Sequence, residues 1–209
     1  MASATSTRLT LKNALIKNIQ FLDPLDALLP SQHPDIDRLI HDLEDLTPIQ
    51  EPLSKPHLST LLGTWKLVYA SQGTVVTRQV NEPSKFLPLR IQQVWQRLKL
   101  PQNAEAPTEI ETENGAILSV PLLGELTAIA KGVWHPYEEA ESASVSFGAF
   151  SLQPTRLLGI SGFNLPKITV PVLDFLRREA LWITSYLDED LRFGRGATGN
   201  LFVFRRELP

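Results

Sequence analysis

The side chains best suited to acid–base chemistry are three consecutive carboxylates, Asp188, Glu189 and Asp190. Two neighbouring carboxylates can serve as a general acid and a general base. These three, however, stand between two strand-like runs, where aspartates stabilise tight turns by accepting hydrogen bonds from backbone amides. Arg192 and Arg195 follow at once and could neutralise the cluster. The pattern therefore favours a structural turn over a catalytic pair.

Histidines and the common catalytic motifs give no stronger indication of an enzyme. His33 and His41 lie in an acidic segment, which favours a solvated helix face over a metal site. The chain has no GxSxG elbow and no P-loop, and no GxGxxG run leads from a strand into a helix. The usual scaffolds for nucleophilic, phosphoryl and dinucleotide chemistry are therefore missing. We expect no catalytic residues, no metal and no cofactor.

Length and composition are those of one globular domain. A chain of 209 residues with 43% hydrophobic residues can bury a sizeable core, so we expect a single domain over residues 1–209. The formal charge of −3 gives no general attraction for nucleic acid. The absence of cysteine excludes disulfides and thiolate sites. No apolar stretch reaches the roughly 20 residues needed to span a bilayer, and the N-terminus lacks the apolar core of a secretory signal.

Two helices are predicted near the N-terminus. Residues 8–29 carry leucine and isoleucine at helical spacing, and residues 34–46 form a second amphipathic stripe. Asp35 or Ser31 can cap the start of the second helix. The prolines of residues 48–60 predict an extended connector.

From residue 61 onward the apolar spacing becomes alternating, which indicates strands. Asn114-Gly115 is the preferred residue pair of a type I′ turn and predicts a hairpin. Residues 90–98 fit a helix or a strand, and we assign them to a strand. About eight short strands favour a meander that closes into an up-and-down β-barrel. An open sheet covered by the helices is the alternative. The predicted class is α+β, mainly β, with a helical region at 1–47, a Pro-rich connector at 48–60 and the barrel at 61–209.

The predicted inner face of the barrel combines small and aromatic side chains. A barrel of about eight strands is just wide enough to be filled by side chains or to hold one small ligand. Small residues beside aromatic walls are typical of lipophile pockets, but a filled core fits the pattern equally well. Residues predicted to share this face are Trp65, Leu67, Tyr69, Leu126, Ala128, Ala130, Trp134, Val145, Phe147 and Ala149.

Cations near the C-terminus indicate two further contacts. Residues 163–178 place apolar side chains beside Arg177 and Arg178, which suits an interfacial membrane contact, a partner groove or a lid over the barrel mouth. The other C-terminal arginines fall on short strands. An inward one could bind a carboxylate or phosphate bidentately, although the surface is the commoner place for arginine.

Two stretches of the chain resemble a known family. Residues 61–71, LLGTWKLVYAS, resemble the opening strand of the PAP/fibrillin family of plastid lipid-associated proteins. Residues 186–204, YLDEDLRFGRGATGNLFVF, are similar to the C-terminal signature of that family. The order of helical region, connector and strands also fits, so the resemblance covers most of the chain.

The resemblance implies a lipocalin-like fold, because Gly63-Thr64-Trp65 matches the lipocalin G-x-W pattern. In that fold the tryptophan would close the barrel floor against Arg205 or Arg206. The resemblance also implies a location on thylakoids or plastoglobules and a role in handling carotenoids, as in photoprotection, or prenylquinones or fatty acyl lipids. The chain shows no transit peptide, which fits a cyanobacterial-type homologue or a processed plastid chain.

The sequence thus predicts a non-catalytic protein that binds or carries a hydrophobic small molecule at photosynthetic membranes. The expected partners are that ligand and a membrane surface, with a protein partner left open and nucleic acid excluded. The alternative is a structural or scaffold protein that coats lipid bodies or holds a lipid-biosynthetic enzyme. The predicted ligand-binding residues are Trp65, Leu67, Tyr69, Leu126, Ala128, Trp134, Phe147, Tyr186 and Arg192.

Overall fold

The strands of the protein close into a ring. The structure is a computed structural model that describes residues 2–23, 26–29, 32–73, 90–102, 109–120, 124–157, 160–161, 168–170 and 179–207. Eight antiparallel strands form the ring, and helices pack on its outside, so the described part is α+β and mainly β. The ring strands are β1 (Gly63–Ala70), β2 (Arg90–Lys99), β3 (Ile110–Val120), β4 (Gly124–Pro136), β5 (Ser142–Leu157), β8 (Ala180–Leu187), β9 (Leu191–Gly196) and β10 (Leu201–Arg206).

Neighbours in the ring follow chain order, and the pairing of its last strand with its first closes it. β10 pairs with β1, and β4 pairs with β5 over Gly124–Pro136. Two short strands, β6 (Ile160–Ser161) and β7 (Ile168–Val170), pair with β5 beside the ring. The predicted meander and the assignment of residues 90–98 to a strand are confirmed. Each ring strand thus has a hydrogen-bonded partner on both sides over at least part of its length, which removes free sheet edges there.

The helices differ from their predicted bounds. α1 (Ala2–Gln20) ends well before residue 29, because Pro24 disfavours helical backbone in the residues before it. α2 spans Pro34–Glu44, and His33 holds its N-cap position without a side-chain hydrogen bond. Asp35 is therefore not the cap, and Ser31 lies outside the described residues. The connector is extended only in part, because a 3-10 turn (Lys55–His57) and α3 (Leu58–Leu61) occupy its second half.

Buried apolar side chains form two separate clusters. The inner cluster lies inside the ring and includes Trp65, Leu67, Leu98, Ile110, Ala116, Trp134, Val145 and Phe204. The outer cluster lies between the ring and the first two helices and includes Leu15, Ile19, Ile36, Ile40, Leu43, Tyr69, Tyr186, Leu191, Phe193 and Val203. On β9 and β10, successive residues alternate between the two clusters, as the pleat of a strand requires.

The predicted hairpin turn at Asn114-Gly115 is wrong. Both residues lie in the middle of β3, where Asn114 pairs with Gln96 and Gly115 pairs with Trp95. A Cβ on Gly115 would lie 2.0 Å from the Trp95 ring, so glycine is required here for close approach. The Asn-Gly pair therefore reflects packing within a strand, and the local turn preference is overridden by the long pairing of β3 with both neighbours.

Bulges exchange the inner and outer faces along two strands. The register between β1 and β10 shifts between Leu67 and Tyr69, which leaves Val68 as the extra residue. The register between β4 and β5 shifts at Gly148, between Phe147 and Ala149. Since the side-chain period of a strand is two, one extra residue turns all later side chains to the other face. The predictions that Tyr69 shares a face with Trp65, and Ala149 with Phe147, are therefore wrong.

Candidate ligand-binding site

One end of the ring is closed by a tryptophan and an arginine. The Trp65 indole donates a hydrogen bond to the carbonyl of Leu61 at 2.8 Å, which ties β1 to α3. The guanidinium of Arg206 lies 4.1 Å from the centre of the Trp65 ring. It donates to the carbonyls of Thr60 and Leu62. The predicted contact of Trp65 with a late arginine is thus confirmed for Arg206, while Arg205 is exposed.

A second arginine, Arg192, lies entirely inside the ring. Its side chain is 0% exposed. It comes from β9, whose flanking residues Leu191 and Phe193 face the outer cluster. The guanidinium carbon lies 4.5 Å from the Phe204 ring centre, 5.1 Å from Trp65 and 5.8 Å from Trp134. Aromatic faces attract a cation, but they do not replace its hydrogen bonds.

Arg192 has one hydrogen-bond acceptor and no carboxylate partner among the described residues. Its Nη2 donates to Gln96 Oε1 at 2.5 Å. Burial, and to a smaller extent the positive charge of Arg206, lowers the pKa of Arg192 to about 9. A guanidinium with this pKa still carries its charge at neutral pH. The interior of the ring is therefore positively charged and apolar at the same place.

Several donors of the inner cluster have no acceptor within the part of the chain that the structure describes. They are Nε and Nη1 of Arg192 and the indole Nε1 atoms of Trp134 and Trp182. The two indole rings are in contact, with centroids 5.7 Å apart. Leaving a buried donor without an acceptor costs roughly 1–3 kcal/mol, and more for a charged group. Two of these atoms belong to the guanidinium, and the two indoles belong to rings that contact it directly or through each other, so this part of the interior offers donors to an acceptor group.

The acceptor that Arg192 does have is held in place by a small amide network. Gln96 Nε2 donates to Asn114 Oδ1 at 2.8 Å, and Thr112 Oγ1 donates to the same oxygen at 3.3 Å. Because its amide nitrogen is committed to Asn114, Gln96 presents its oxygen to Arg192. The network fixes the guanidinium without neutralising it.

The wall made by β3 and β4 carries small residues in its middle. Ala116 pairs with Ala128, and Thr112 pairs with Gly132. Directly paired residues of antiparallel strands project from the same face. Ala128 therefore lies on the inner face with Ala116, where the predicted line of small residues beside Trp134 is found.

Half-buried apolar side chains line the interior toward the end opposite Trp65. Trp182 and Phe202 pack partly exposed against the inner cluster, as do Leu126 and Phe147. Trp182 approaches the backbone so closely that a Cβ on Gly194 would lie 1.9 Å from its ring. The interior thus grades from fully buried at Trp65 to partly exposed at this end.

Two predicted ligand residues, Tyr69 and Tyr186, lie in the outer cluster. The Tyr69 hydroxyl donates to Asp37 at 2.8 Å, and the Tyr186 hydroxyl donates to Asp188 at 2.6 Å. Burial and the adjacent carboxylate raise the pKa of both phenols. Both tyrosines therefore join the helices and turns to the outside of the ring, while the other seven predicted residues lie on its inner face.

The acidic group at 188–190 is a structural turn, as predicted. Asp188 Oδ1 accepts hydrogen bonds from the backbone amides of Asp190 and Leu191, each at 2.8 Å. Its other oxygen accepts from Lys12 of α1 at 2.6 Å. Burial alone would raise the pKa of Asp188, but the hydrogen bonds from Lys12, Tyr186 and the backbone hold it below its ordinary value.

The cation that neutralises this turn was not foreseen. Lys12 provides it, whereas Arg192 lies in the ring and Arg195 pairs with Glu44 of α2. Three residues of the interior, Gln96, Trp182 and Phe204, were also missed. The glycine at 194, which leaves room for the Trp182 ring, was the one local signal that could have placed Trp182 inside.

The described residues contain no group of three or more His, Asp and Glu side chains placed to hold a metal ion. No helix among them has the length and apolar character to cross a membrane. Residues 163, 165, 175, 177 and 178, which carry the predicted membrane contact, lie outside the described part of the chain.

Two comparisons with known proteins give a match. The PAP_fibrillin family model matches residues 10–130. The chain is 25% identical over 197 residues to the probable plastid-lipid-associated protein 8, chloroplastic, of Arabidopsis thaliana, covering 93% of this chain and 70% of that relative. No solved structure matches the chain significantly.

Proposed function

Because this chain belongs to the PAP/fibrillin family, we propose that its ring is a lipocalin-like barrel that binds and carries one hydrophobic small molecule. The ligand is an isoprenoid, such as a carotenoid or prenylquinone, or a fatty acyl lipid. The role is non-catalytic. The protein acts peripherally at photosynthetic membranes, thylakoids or plastoglobules, as a single domain over the whole chain.

One observation carries this proposal: the buried donors of Arg192, Trp134 and Trp182 have no acceptor among the described residues. A core that served only to fill the ring would gain stability from an apolar residue at position 192, since an unpaired buried charge is costly. A ligand with a polar head and an apolar body would satisfy the donors and cover the half-buried aromatic side chains. The ligand-lining residues we propose are Trp65, Leu67, Leu126, Ala128, Trp134, Phe147 and Arg192.

The proposed location is supported by the relative, whose name describes it as plastid-lipid-associated and chloroplastic. The membrane contact remains a proposal for residues 163–178. Membrane binding through inserted apolar side chains and neighbouring arginines would weaken as the salt concentration rises, because salt screens the attraction between the arginines and anionic headgroups. It would not vanish, because the apolar insertion is not screened.

Native mass spectrometry of protein purified from its source tests the carrier function. The expected result is one lipid bound per chain, released by organic extraction. Protein that repeatedly carries no lipid, and takes up none from vesicles, would contradict the carrier and favour a scaffold with a filled ring.

A pair of variants makes this test specific to the interior. Ala128→Trp fills the small wall and should abolish uptake. Ala149→Trp, on the exposed outer face beyond the bulge, should leave uptake unchanged. Equal uptake by both folded variants would place the lipid elsewhere.

A further inference from the structure

The charge and the donors inside the ring define the chemistry of the ligand's head. We infer that the site selects long-chain carboxylic acids, whose carboxylate is bound by Arg192 and by the indole N–H groups of Trp134 and Trp182. This inference rests on the proposed function and narrows it, since carotenes, quinones and esters have no carboxylate.

The first argument is charge balance. Arg192 is completely buried, and no carboxylate of the described residues forms an ion pair with it. The charge that acts on Arg192 is another cation, Arg206, which lowers the pKa of Arg192 and also contacts Trp65. A buried charge is normally paired, because desolvation is otherwise uncompensated. A monoanionic ligand supplies the missing counter-charge, whereas a neutral ligand leaves it missing.

The second argument is the type of hydrogen bond on offer. Arg192, Trp134 and Trp182 present only N–H donors, and a carboxylate is an acceptor-only group with two oxygens. An alcohol could accept a hydrogen bond from one of these N–H groups, but it carries no negative charge to offset the cation of Arg192. A guanidinium can bind both oxygens of a carboxylate in one plane, which is the strongest pairing available to it.

The third argument is space. Arg192 is enclosed by Trp65, Trp134 and Phe204, so its surroundings suit a small planar head better than a bulky phosphodiester. Partly exposed Phe202 and Trp182 continue from this point toward the opposite end of the ring. A single apolar chain could follow them outward.

Binding measurements with chain-matched probes test the inference. Delipidated protein is titrated with hexadecanoate and hexadecanol, and in a second arm with retinoate and retinol. We expect each acid to bind roughly 10- to 100-fold more tightly than its alcohol. The arm with the tighter acid tells whether the chain is acyl or isoprenoid.

Two variants with the same change in charge assign the effect to Arg192. Arg192→Met should lose the preference for the acid while still binding the alcohol. Arg205→Met, at an exposed position on β10, should retain the preference. If both variants retain it, Arg192 does not bind the head group and the inference is overturned.

The outcomes distinguish a failure of the carboxylate selectivity from a failure of the proposed carrier function. Equal binding of acid and alcohol by the wild type would overturn the carboxylate selectivity but leave a carrier. Binding of neither probe in either arm would overturn the carrier as well. If Arg192→Met does not fold, NMR of carboxyl-labelled hexadecanoate bound to the wild type provides the test instead. Its carboxylate should stay ionised to lower pH than in detergent, and an unchanged titration would count against the inference.

Discussion

The outer and the inner cluster differ in whether the buried polar groups of Tyr69, Tyr186 and Arg192 are paired. In the outer cluster each buried hydroxyl of Tyr69 and Tyr186 has a carboxylate partner, and Asp188 has four donors. In the inner cluster Arg192, Trp134 and Trp182 keep donors without acceptors among the described residues. The polar groups of Tyr69, Tyr186 and Asp188 are therefore paired within the protein, whereas the cation of Arg192 has no anion to pair with among the described residues. This contrast separates stability from function in a protein without catalytic motifs.

The largest effect should come from Trp65→Ala, because it removes a fully buried ring from the closed end of the inner cluster. We expect a loss of about 3–5 kcal/mol in the free energy of unfolding, measured by urea denaturation. Exposed Phe21→Ala is the control and should change stability by less than about 0.5 kcal/mol. A small loss of unfolding free energy for Trp65→Ala would mean that the ring is stable without the tryptophan at its closed end.

Gly194→Ala tests how tightly the interior is packed around Trp182. The new methyl would lie 1.9 Å from the indole ring, so the ring must move. Overpacking of this kind costs roughly 1–3 kcal/mol. Gly148→Ala is the matched control, since no atom lies within 4 Å of its added carbon. Equal stabilities of the two variants would show that the Trp182 ring can move away from position 194 at no cost in stability.

Removing one polar group from each cluster tests the contrast directly. Tyr186→Phe takes a donor from buried Asp188 and should cost about 1.5–3 kcal/mol in unfolding free energy. Arg192→Met removes an unpaired cation and should cost less, or stabilise the ligand-free protein. If Arg192→Met is the more damaging change, the arginine is part of the stabilising core and the distinction between the clusters fails.

The outer cluster should also respond to acid. The pKa of Asp188 is lowered in the folded protein, so its stabilising contribution is complete above the unfolded pKa of about 3.9 and is lost as pH falls through the lower folded value. Wild type should therefore lose stability faster than Asp188→Asn below about pH 4. Melting temperatures between pH 2 and pH 6 would show parallel curves if Asp188 were not involved.

The smallest expected effect is the coupling between Trp65 and Arg206 at the closed end. The cation lies 4.1 Å from the ring centre, and a double-mutant cycle with Arg206→Met should give about 0.5–1 kcal/mol. Arg205→Met provides the control cycle and should be additive. Additivity for both arginines would mean that Arg206 acts only through its bonds to backbone carbonyls.

Local sequence patterns predict many of the helices and strands, but they do not predict which side chains face the interior of the ring. The alternation of apolar residues predicts β8, β9 and β10, and the apolar stripe of α2 predicts its buried residues Ile36, Ile40 and Leu43. The bulge at Val68 has no sequence signal, and it moved Tyr69 from the ring to the helices. Bulges are set by the register of whole strands, which a local window does not contain.

The candidate site shows the same limit. Small residues and tryptophans predicted an inner wall, and the wall is there. Gln96 was not predicted, because its role is to accept a hydrogen bond from Arg192, which lies 96 residues further along the chain. Arg192 was predicted as a ligand residue by its type, but its isolation from carboxylates is visible only when all its neighbours are in place.

The docking of the first two helices against β9 and β10 has a consequence for synthesis. The apolar stripe of α2 ends at Leu43, while its docking surface, from Leu191 to Val203, is made about 150 residues later. At about 5–20 residues per second, that delay is roughly 10–30 s. During this time the stripe has only α1 and Tyr69 as native partners, and the ring cannot close without its last strand. Full cover of the stripe and closure of the ring therefore both wait for the strands from residue 191 onward.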